Sequence, residues 1–396
     1  MTETNPLIRP SDPEPRASGR RIPALDVIRG VAIIGTLASN IWLFIAFTGD
    51  RVVDIWWQGF LGWIPDGKFL GLLTIMFGIG LEIQRQAARR HGRRWPGTYP
   101  IRAGLLFLDG ALNYILVVQF DVLRAYAIVG FVVAFVLLLP EKRQWVFIGV
   151  ALATHLGLLT TEMVAPGLTT SLPGIVLPGE FPIFEGGPTY GQTVQSNLLT
   201  VFSDITVGGD LGSIVTLGLA VFTLGAMVYR HGVLEARGAR LRMWLMVIGL
   251  GAGIPLNVLT FVTGDMFGFG RYAVAPLVAF GILALLASFY QRHRIGFIGR
   301  RLSSVGRMAL TGYVLQNILG RVGQSVIGSS PLSAQVDPVV GTLAMFAVIT
   351  VLLVVFAEGW MRLFQRGPLE YVWDLVFRLL TRRMRSTAPR PGLQSS

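Results

Sequence analysis

Apolar runs long enough to cross a bilayer recur along the whole chain, and this feature limits what it can fold into more than any other. Hydrocarbon offers backbone groups no hydrogen bonds, so a run of roughly 17–25 apolar residues crosses it as a helix that satisfies its own N–H and C=O groups. Ten runs are read, at 27–47, 68–84, 101–118, 123–139, 144–163, 208–229, 241–263, 270–290, 304–328 and 338–362. The residues are 52% hydrophobic and only 14% charged, with a mean hydropathy of +0.60. The fold class expected is all-α, a polytopic integral membrane protein with ten transmembrane helices.

The basic residues test that count. With both termini cytoplasmic, 29 of the 34 Lys and Arg fall in inside segments, and only Arg51, Lys68, Arg124, Arg271 and Arg321 fall outside. Positive charge is retained on the cytoplasmic side of a membrane, so the expected topology is N-in and C-in, in a bacterial cytoplasmic (inner) membrane. The formal charge of +12 then needs no nucleic acid, because the arginines sit at the ends of apolar runs and no nucleic-acid motif accompanies them. The chain has no cysteine, which excludes disulfides, thiolate metal sites and cysteine nucleophiles. HExxH, paired histidines and a GxSxG elbow are also missing, so metal hydrolysis and serine-hydrolase chemistry have no support and no metal is expected.

Residues 1–21, broken by Pro6, Pro10, Pro13 and Pro15, read as a disordered cytoplasmic tail without a cleavable signal. The ten-helix domain covers 22–363. Its outer connection, 164–207, is rich in Pro and Gly, carries Glu180, Glu185 and Asp204, and is either a lid over an outward cavity or a loose loop. In 364–385, Leu369, Val372, Trp373, Val376, Phe377 and Leu380 recur at helical spacing beside Arg378, Arg382 and Arg383. That pattern predicts an amphipathic helix on the cytoplasmic face, with Trp373 and the arginines against lipid. A disordered tail, 386–396, follows. No internal repeat is evident, which disfavours inverted-repeat transporter folds.

Polar residues inside such spans are costly, so they are turned inward and partnered or used. Arg29 and Asn40 are eleven residues apart in the first span and share one helix face about 16 Å apart. Asn40 reads equally as interhelical glue. In DGALNYILVVQFDVLRAY, Asp109 and Asn113 share a face, while Asp121 and Arg124 bracket a tight outer turn, as a functional pair or a structural ion pair. Asp109 lies roughly 10 Å in from Arg102, where a carboxylate is neutral or paired. His155 is the histidine set inside a span, either a general base or a hydrogen-bonded packing residue. Tyr313, Asn317 and Arg321 form a stripe toward the outer surface, with Arg307 at its cytoplasmic start. Lys68, Asp66, Asp265 and Arg271 join them at the outer ends, as a mixed-charge pocket or as scattered interfacial charges.

The blocks LDVIRGVAIIGTLASN, GKFLGLLTIMFGIGLE, FDVLRAYAIVG, VGRMALTGYVLQ and FQRGPLEYVWD, in that order, resemble those of the bacterial YeiB-like membrane proteins, a domain of unknown function. The resemblance spans residues 22 to about 380. It implies a distant relation to transmembrane acyltransferases, among them the lysosomal heparan-glucosaminide acetyltransferase and the acyltransferase-3 O-acyltransferases. These move an acyl group from cytoplasmic acyl-CoA to an acceptor across the membrane. Acyltransferase-3 proteins carry an Arg and a His in the first span at the spacing that here gives Arg29 and Asn40. YeiB-like proteins often place a His eight residues before the Asp of a GDIL block, where this chain has Asn113, with Phe120 in place of the Gly. Asparagine is no general base. Asp121 or His155 takes that role, or the chain does not catalyse the family's presumed reaction.

The function expected is an acyl-CoA-dependent O-acyltransferase with acyl-CoA as co-substrate. Arg29 and Arg307 bind its phosphates, Asn40 and Asn113 stabilise the thioester oxygen, and Asp121, oriented by Arg124, takes the acceptor's proton. The alternatives are a transporter or flippase of a small amphiphile or lipid-linked sugar along the same polar track, and a non-catalytic membrane partner. The partners expected are membrane lipids and an outer acyl acceptor; a homodimer is left open.

Overall fold

In the computed structural model, residues 22–44, 47, 55–165, 189–202, 210–264 and 268–386 are described, and among them all regular structure is helical. The expectations for the tails at 1–21 and 387–396, for Arg51 and Asp265, and for most of the 164–207 connection with Glu180, Glu185 and Asp204 lie outside the described residues. The helices are α1 (Pro23–Asn40), α2 (Ile55–Trp63), α3 (Lys68–Arg90), α4 (Tyr99–Leu116), α5 (Leu123–Val136), α6 (Glu141–Val164), α7 (Tyr190–Thr200) and α8 (Asp210–Arg230). They continue as α9 (Ala239–Met246), α10 (Gly253–Val262), α11 (Ala275–Arg292), α12 (Phe297–Arg307), α13 (Ala309–Gly328), α14 (Leu332–Gln335), α15 (Pro338–Leu363) and α16 (Pro368–Ser386). Local chemistry sets several boundaries. Proline opens α1, α4 and α15, where its missing N–H costs nothing. Asp337 caps α15 by accepting from the N–H groups of Val339 and Val340, both at 3.0 Å.

Seven helical segments are long and apolar enough to cross a membrane: Pro23–Leu43, Trp57–Arg90, Glu141–Val164, Leu211–Arg230, Ala236–Val262, Gly270–Arg292 and Pro338–Leu363. They differ in what covers them. α3 packs against α1, α5, α8 and α11, so these helices form the interior of the bundle. Most of the apolar surface of 141–164, 236–262 and 338–363 faces outward, through residues such as Val150, Val262 and Val355. So much exposed hydrocarbon belongs in lipid.

Several of the expected spans depart from regular α-helix, among them 270–290, which opens on a π-helical turn at Gly270–Val274. The run 241–263 contains a π-helical turn at Val247–Ala252, in front of Pro255, which has no N–H for the preceding turn. The run 304–328 is two helices: α12 ends at Arg307, Met308 leaves helical geometry, and α13 starts at Ala309. Helix α12 lies against α1, and a Cβ on Gly306 would overlap the Asp26 carbonyl oxygen, so only glycine allows that approach.

Helix α16 corrects one expectation. It is amphipathic, yet it is docked on the protein through α4 and α13, and Trp373 is turned inward rather than into lipid. The physical reason is that interior acceptors and donors need its polar groups. The break at Met308 leaves N–H groups at the start of α13 without helical acceptors, and the Glu370 carboxylate accepts from Leu310 N at 2.9 Å and Thr311 N at 3.2 Å.

Candidate functional site

A cavity of about 360 Å³ opens at the basic end of the bundle, where α1 and α4 begin and α3 and α12 end. Arg29, Arg102 and Arg307 line its mouth; Ile33, Leu73, Met76, Phe77 and Leu106 line its shaft; Leu123 and Tyr313 lie at its inner end. A wider vestibule of about 570 Å³ shares Arg29, Arg102, Leu106, Arg307, Leu310 and Glu370 with it, and is completed by Arg366, Trp373, Asp374 and Phe377 from α16 and the segment before it. The opening is therefore cationic and the depth apolar.

The inner end touches a second cluster. The Tyr313 hydroxyl accepts from Val122 N at 3.3 Å, next to Asp121 in the turn joining α4 to α5. Asp121 is buried. Its Oδ1 accepts from the Asn113 side-chain amide at 3.2 Å and its Oδ2 from Arg124 N at 3.0 Å, with the Arg124 Nε 3.7 Å away. Burial pushes the carboxyl of Asp121, which lies outside both helices, up to about 6, partly opposed by the N–H donors and by the Arg124 charge. Gly110 makes room for it, since a Cβ there would overlap Asp121 Oδ2.

Residues 189–202 close this cluster from the other side. Thr189 and Gln192 form a reciprocal capping box that starts α7. The Arg124 guanidinium lies 3.9 Å from the Tyr114 ring centroid and donates to the Val201 carbonyl at 2.5 Å. Tyr114 meets Thr200 at 3.0 Å, and Asn197 joins Gln119 at 2.7 Å. This part of the 164–207 connection is thus an ordered cover over Asp121 and Arg124.

Asp109, further toward the basic end on α4, accepts from the Trp373 indole at 3.1 Å, and its Oδ2 has no hydrogen-bond partner among the described residues. Asn317 is fully buried one turn beyond Tyr313. The structure thus groups Arg29 with Arg307, and Asp121 with Asn113, Arg124 and Tyr313. Other candidates lie apart from the cavity lining. Asn40 is buried at the end of α1. Arg321 bonds Gln324 at 2.8 Å. Lys68 donates to the Trp63 carbonyl at 2.8 Å, while Arg271 pairs with Asp66, so among the described residues the charges at this end are bonded locally. His155 has Thr216 Oγ1 at 2.8 Å and the Tyr272 carbonyl at 3.1 Å on its two ring nitrogens, a carbonyl that Pro276, four residues on, cannot serve. It ties three helical segments together and is not among the residues that line the cavity or the vestibule at the basic end.

Sequence patterning gives no sign of Arg366 and Glu370 in the site, and it assigns Arg102 and Trp373 other roles. The one sequence signal for Trp373 is Asp109, an interior carboxylate that requires a donor from an element the sequence does not specify.

Residues 228–379, from the end of α8 through most of α16, match the model of the family described as protein of unknown function, DUF418. The chain is 24% identical over 389 residues to the uncharacterized protein YxaH of Bacillus subtilis (strain 168), covering 91% of this chain and 95% of that one. It is 26% identical over 377 residues to the uncharacterized protein YeiB of Escherichia coli (strain K12), covering 88% and 94%. The matched region contains Arg307, Tyr313, Glu370 and Trp373, so most of the docked C-terminal helix lies within it. Over most of its length the chain is thus similar to YxaH and YeiB, and its C-terminal part matches the family of unknown function.

Proposed function

We propose that this protein is a transmembrane acyltransferase that takes an acyl group from cytoplasmic acyl-CoA and delivers it to a hydroxyl or amine acceptor, a glycan or a small molecule, at the outer side of a bacterial cytoplasmic membrane. One observation carries the reading: a cavity with arginines at its mouth and an apolar shaft ends at Tyr313, whose hydroxyl is bonded next to the buried carboxylate Asp121. An anionic head with a long, largely apolar arm suits that shape. The topology that goes with it has ten spans, the seven long apolar segments together with α4, α5 and α13, and both termini inside. It is supported by the 29 of 34 basic residues that fall on one side.

In this reading Arg29, Arg102 and Arg307 hold phosphates by charge-assisted hydrogen bonds. The thioester reaches Tyr313, whose hydroxyl accepts from Val122 N and keeps its own proton to donate to the carbonyl oxygen as charge develops there. The acceptor oxygen or nitrogen attacks the carbonyl carbon, its proton passes to Asp121, the C–S bond breaks, and the thiolate takes a proton to leave as CoA. Asn113 and Arg124 hold the Asp121 carboxylate in place.

Thermal unfolding of the purified protein titrated with CoA and acetyl-CoA, repeated with Arg29→Ala, tests this. Any ligand of the native state raises its stability, so stabilisation of the parent and its weakening in the variant are expected. No stabilisation at millimolar CoA sinks the proposal. Movement of labelled acceptor across vesicles without CoA would favour transport instead.

A further inference from the structure

Helix α16 uses both of its long faces. The inner one presents Glu370, Trp373 and Phe377 to the vestibule. On the opposite side Tyr371, Val372, Leu375 and Leu379 are each between 47% and 58% exposed, and at about 100° per residue these four share one stripe. The helix also lies deep. Trp373 bonds Asp109, roughly 10 Å along α4 from Arg102, and the Arg102 guanidinium is 4.5 Å from the ring centroid of Phe377, so α16 follows α4 over that length. Its other contact is the start of α13. Both neighbours carry outward apolar residues of their own, Leu108 and Leu112 on α4 and Ile318 and Val322 on α13. The outer stripe of α16 therefore continues an apolar surface of the kind that lies in lipid. On its inner side, Leu106 and Leu310 line both the vestibule and the shaft that runs on to Leu73 and Phe77. On this flank α16 stands between that apolar interior and the bilayer.

What holds α16 there is polar. None of residues 368–381 belongs to the buried core. The attachments are the Arg102–Phe377 contact and a few hydrogen bonds: Glu370 with Leu310 N and Thr311 N, Leu369 N with Thr311 Oγ1 at 3.1 Å, and Trp373 with Asp109. An element with few bonds and little apolar burial belongs to the least stable part of a structure and opens first.

We propose that α16 is a side door of the cavity, through which a hydrocarbon chain of a lipid in the leaflet at the basic end passes between α4 and α13 into the apolar shaft. The shaft is then a lipid-chain site entered from the bilayer, separate from the route through the mouth. When α16 leaves its seat, the apolar outer faces of α4 and α13 border the gap, so hydrocarbon rather than water fills it. The inference stands apart from the acyl-transfer reading, and either can fail without the other.

The test uses the absence of cysteine from the chain. Full-length Leu73→Cys, in lipid nanodiscs, is reacted with a maleimide on a long alkyl chain dissolved in the bilayer and, separately, with a small water-soluble maleimide. Leu375→Cys, on the outer face of α16, is the reference for a lipid-facing thiol. Both thiols are expected to react with the alkyl reagent. Adding Trp373→Phe removes one attachment of α16 and is expected to speed the alkyl reagent at Leu73→Cys about tenfold, the effect of one buried hydrogen bond, while its rate at Leu375→Cys stays unchanged. The aqueous reagent at Leu73→Cys is expected to gain less, so the ratio of the two rates rises. Leu106→Cys, where vestibule and shaft meet, replaces Leu73→Cys if that variant does not fold. An alkyl rate that ignores Trp373→Phe, or a rise shared equally by the aqueous reagent, overturns the door. Reaction of Leu375→Cys with the aqueous reagent alone also overturns it, by placing α16 outside the bilayer.

Discussion

The indole nitrogen of Trp373 donates to Oδ1 of Asp109 at 3.1 Å, joining residues 264 positions apart. This bond turns an amphipathic helix, whose pattern alone suits a membrane surface, into a wall of the vestibule, and it gives an interior carboxylate a donor.

Trp373→Phe keeps the ring and removes the donor. A buried acceptor left without its partner costs about 1–3 kcal/mol, so a lower unfolding midpoint and faster proteolysis within 368–386 are expected. Asp109→Asn, which retains an acceptor oxygen, is expected to do less. An unchanged midpoint and cleavage rate in Trp373→Phe would show that the bond does not hold the helix.

Glu370→Ala removes the cap at the start of α13. The loss of a helix N-terminal acceptor costs about 0.5–2 kcal/mol, and Glu370→Gln, which keeps one oxygen, should lie between parent and alanine. Chemical unfolding of the three proteins ranks them, and a different order is incompatible with capping.

Asp121→Asn is expected to lower acyl transfer by about 10²–10⁴-fold while CoA binding persists, because only the proton acceptor is lost. The parent's base form predominates above pH of about 6 and is lost as pH falls through it, so the rate should fall on the acid side. The Asn113 amide stabilises the ionised form; Asn113→Ala therefore raises the affinity for the proton and moves the acid limb to higher pH. A limb that stays put or moves down contradicts the assignment.

Gly110→Ala drives a methyl group into Asp121 Oδ2 and places it 2.7 Å from Arg124 N. Overpacking of this kind costs about 1–3 kcal/mol, and displacement of Asp121 should abolish turnover. Gly104, on the same helix, has open space where a Cβ would stand, with nothing within 4 Å, so Gly104→Ala is the neutral control. Equal behaviour of the two in activity and stability would refute the crowding argument.

The chain has no cysteine, so single cysteines report topology cleanly. A membrane-impermeant maleimide applied to intact cells is expected to label Thr263→Cys and Ser329→Cys but not Arg93→Cys and His293→Cys, all at exposed positions. The reverse pattern, or labelling on both sides of one expected span, overturns the ten-span N-in, C-in arrangement.

Run length and hydropathy located the seven long apolar helices, because a helix in lipid satisfies its backbone locally and is therefore encoded locally. Periodicity also put Asp109 and Asn113 on one face of α4. It said nothing of what that face meets. The same local pattern made one helix of 304–328, whereas the chain breaks at Met308, and the acceptor at the new helix start is Glu370, about sixty residues later. Likewise His155 reads equally as a base or a packing residue until Thr216 and the Tyr272 carbonyl are found on its two nitrogens.

The sequence by itself determined that this is a helical bundle built for a bilayer, and which residues carry polar groups into it. Only the tertiary structure decided that Arg29, Arg102 and Arg307 share a cavity mouth, that Tyr313 closes its depth beside Asp121, and that α16 faces inward. Helix formation depends on neighbours along the chain, whereas hydrogen bonds and cavities depend on distances of a few ångströms between segments far apart in it.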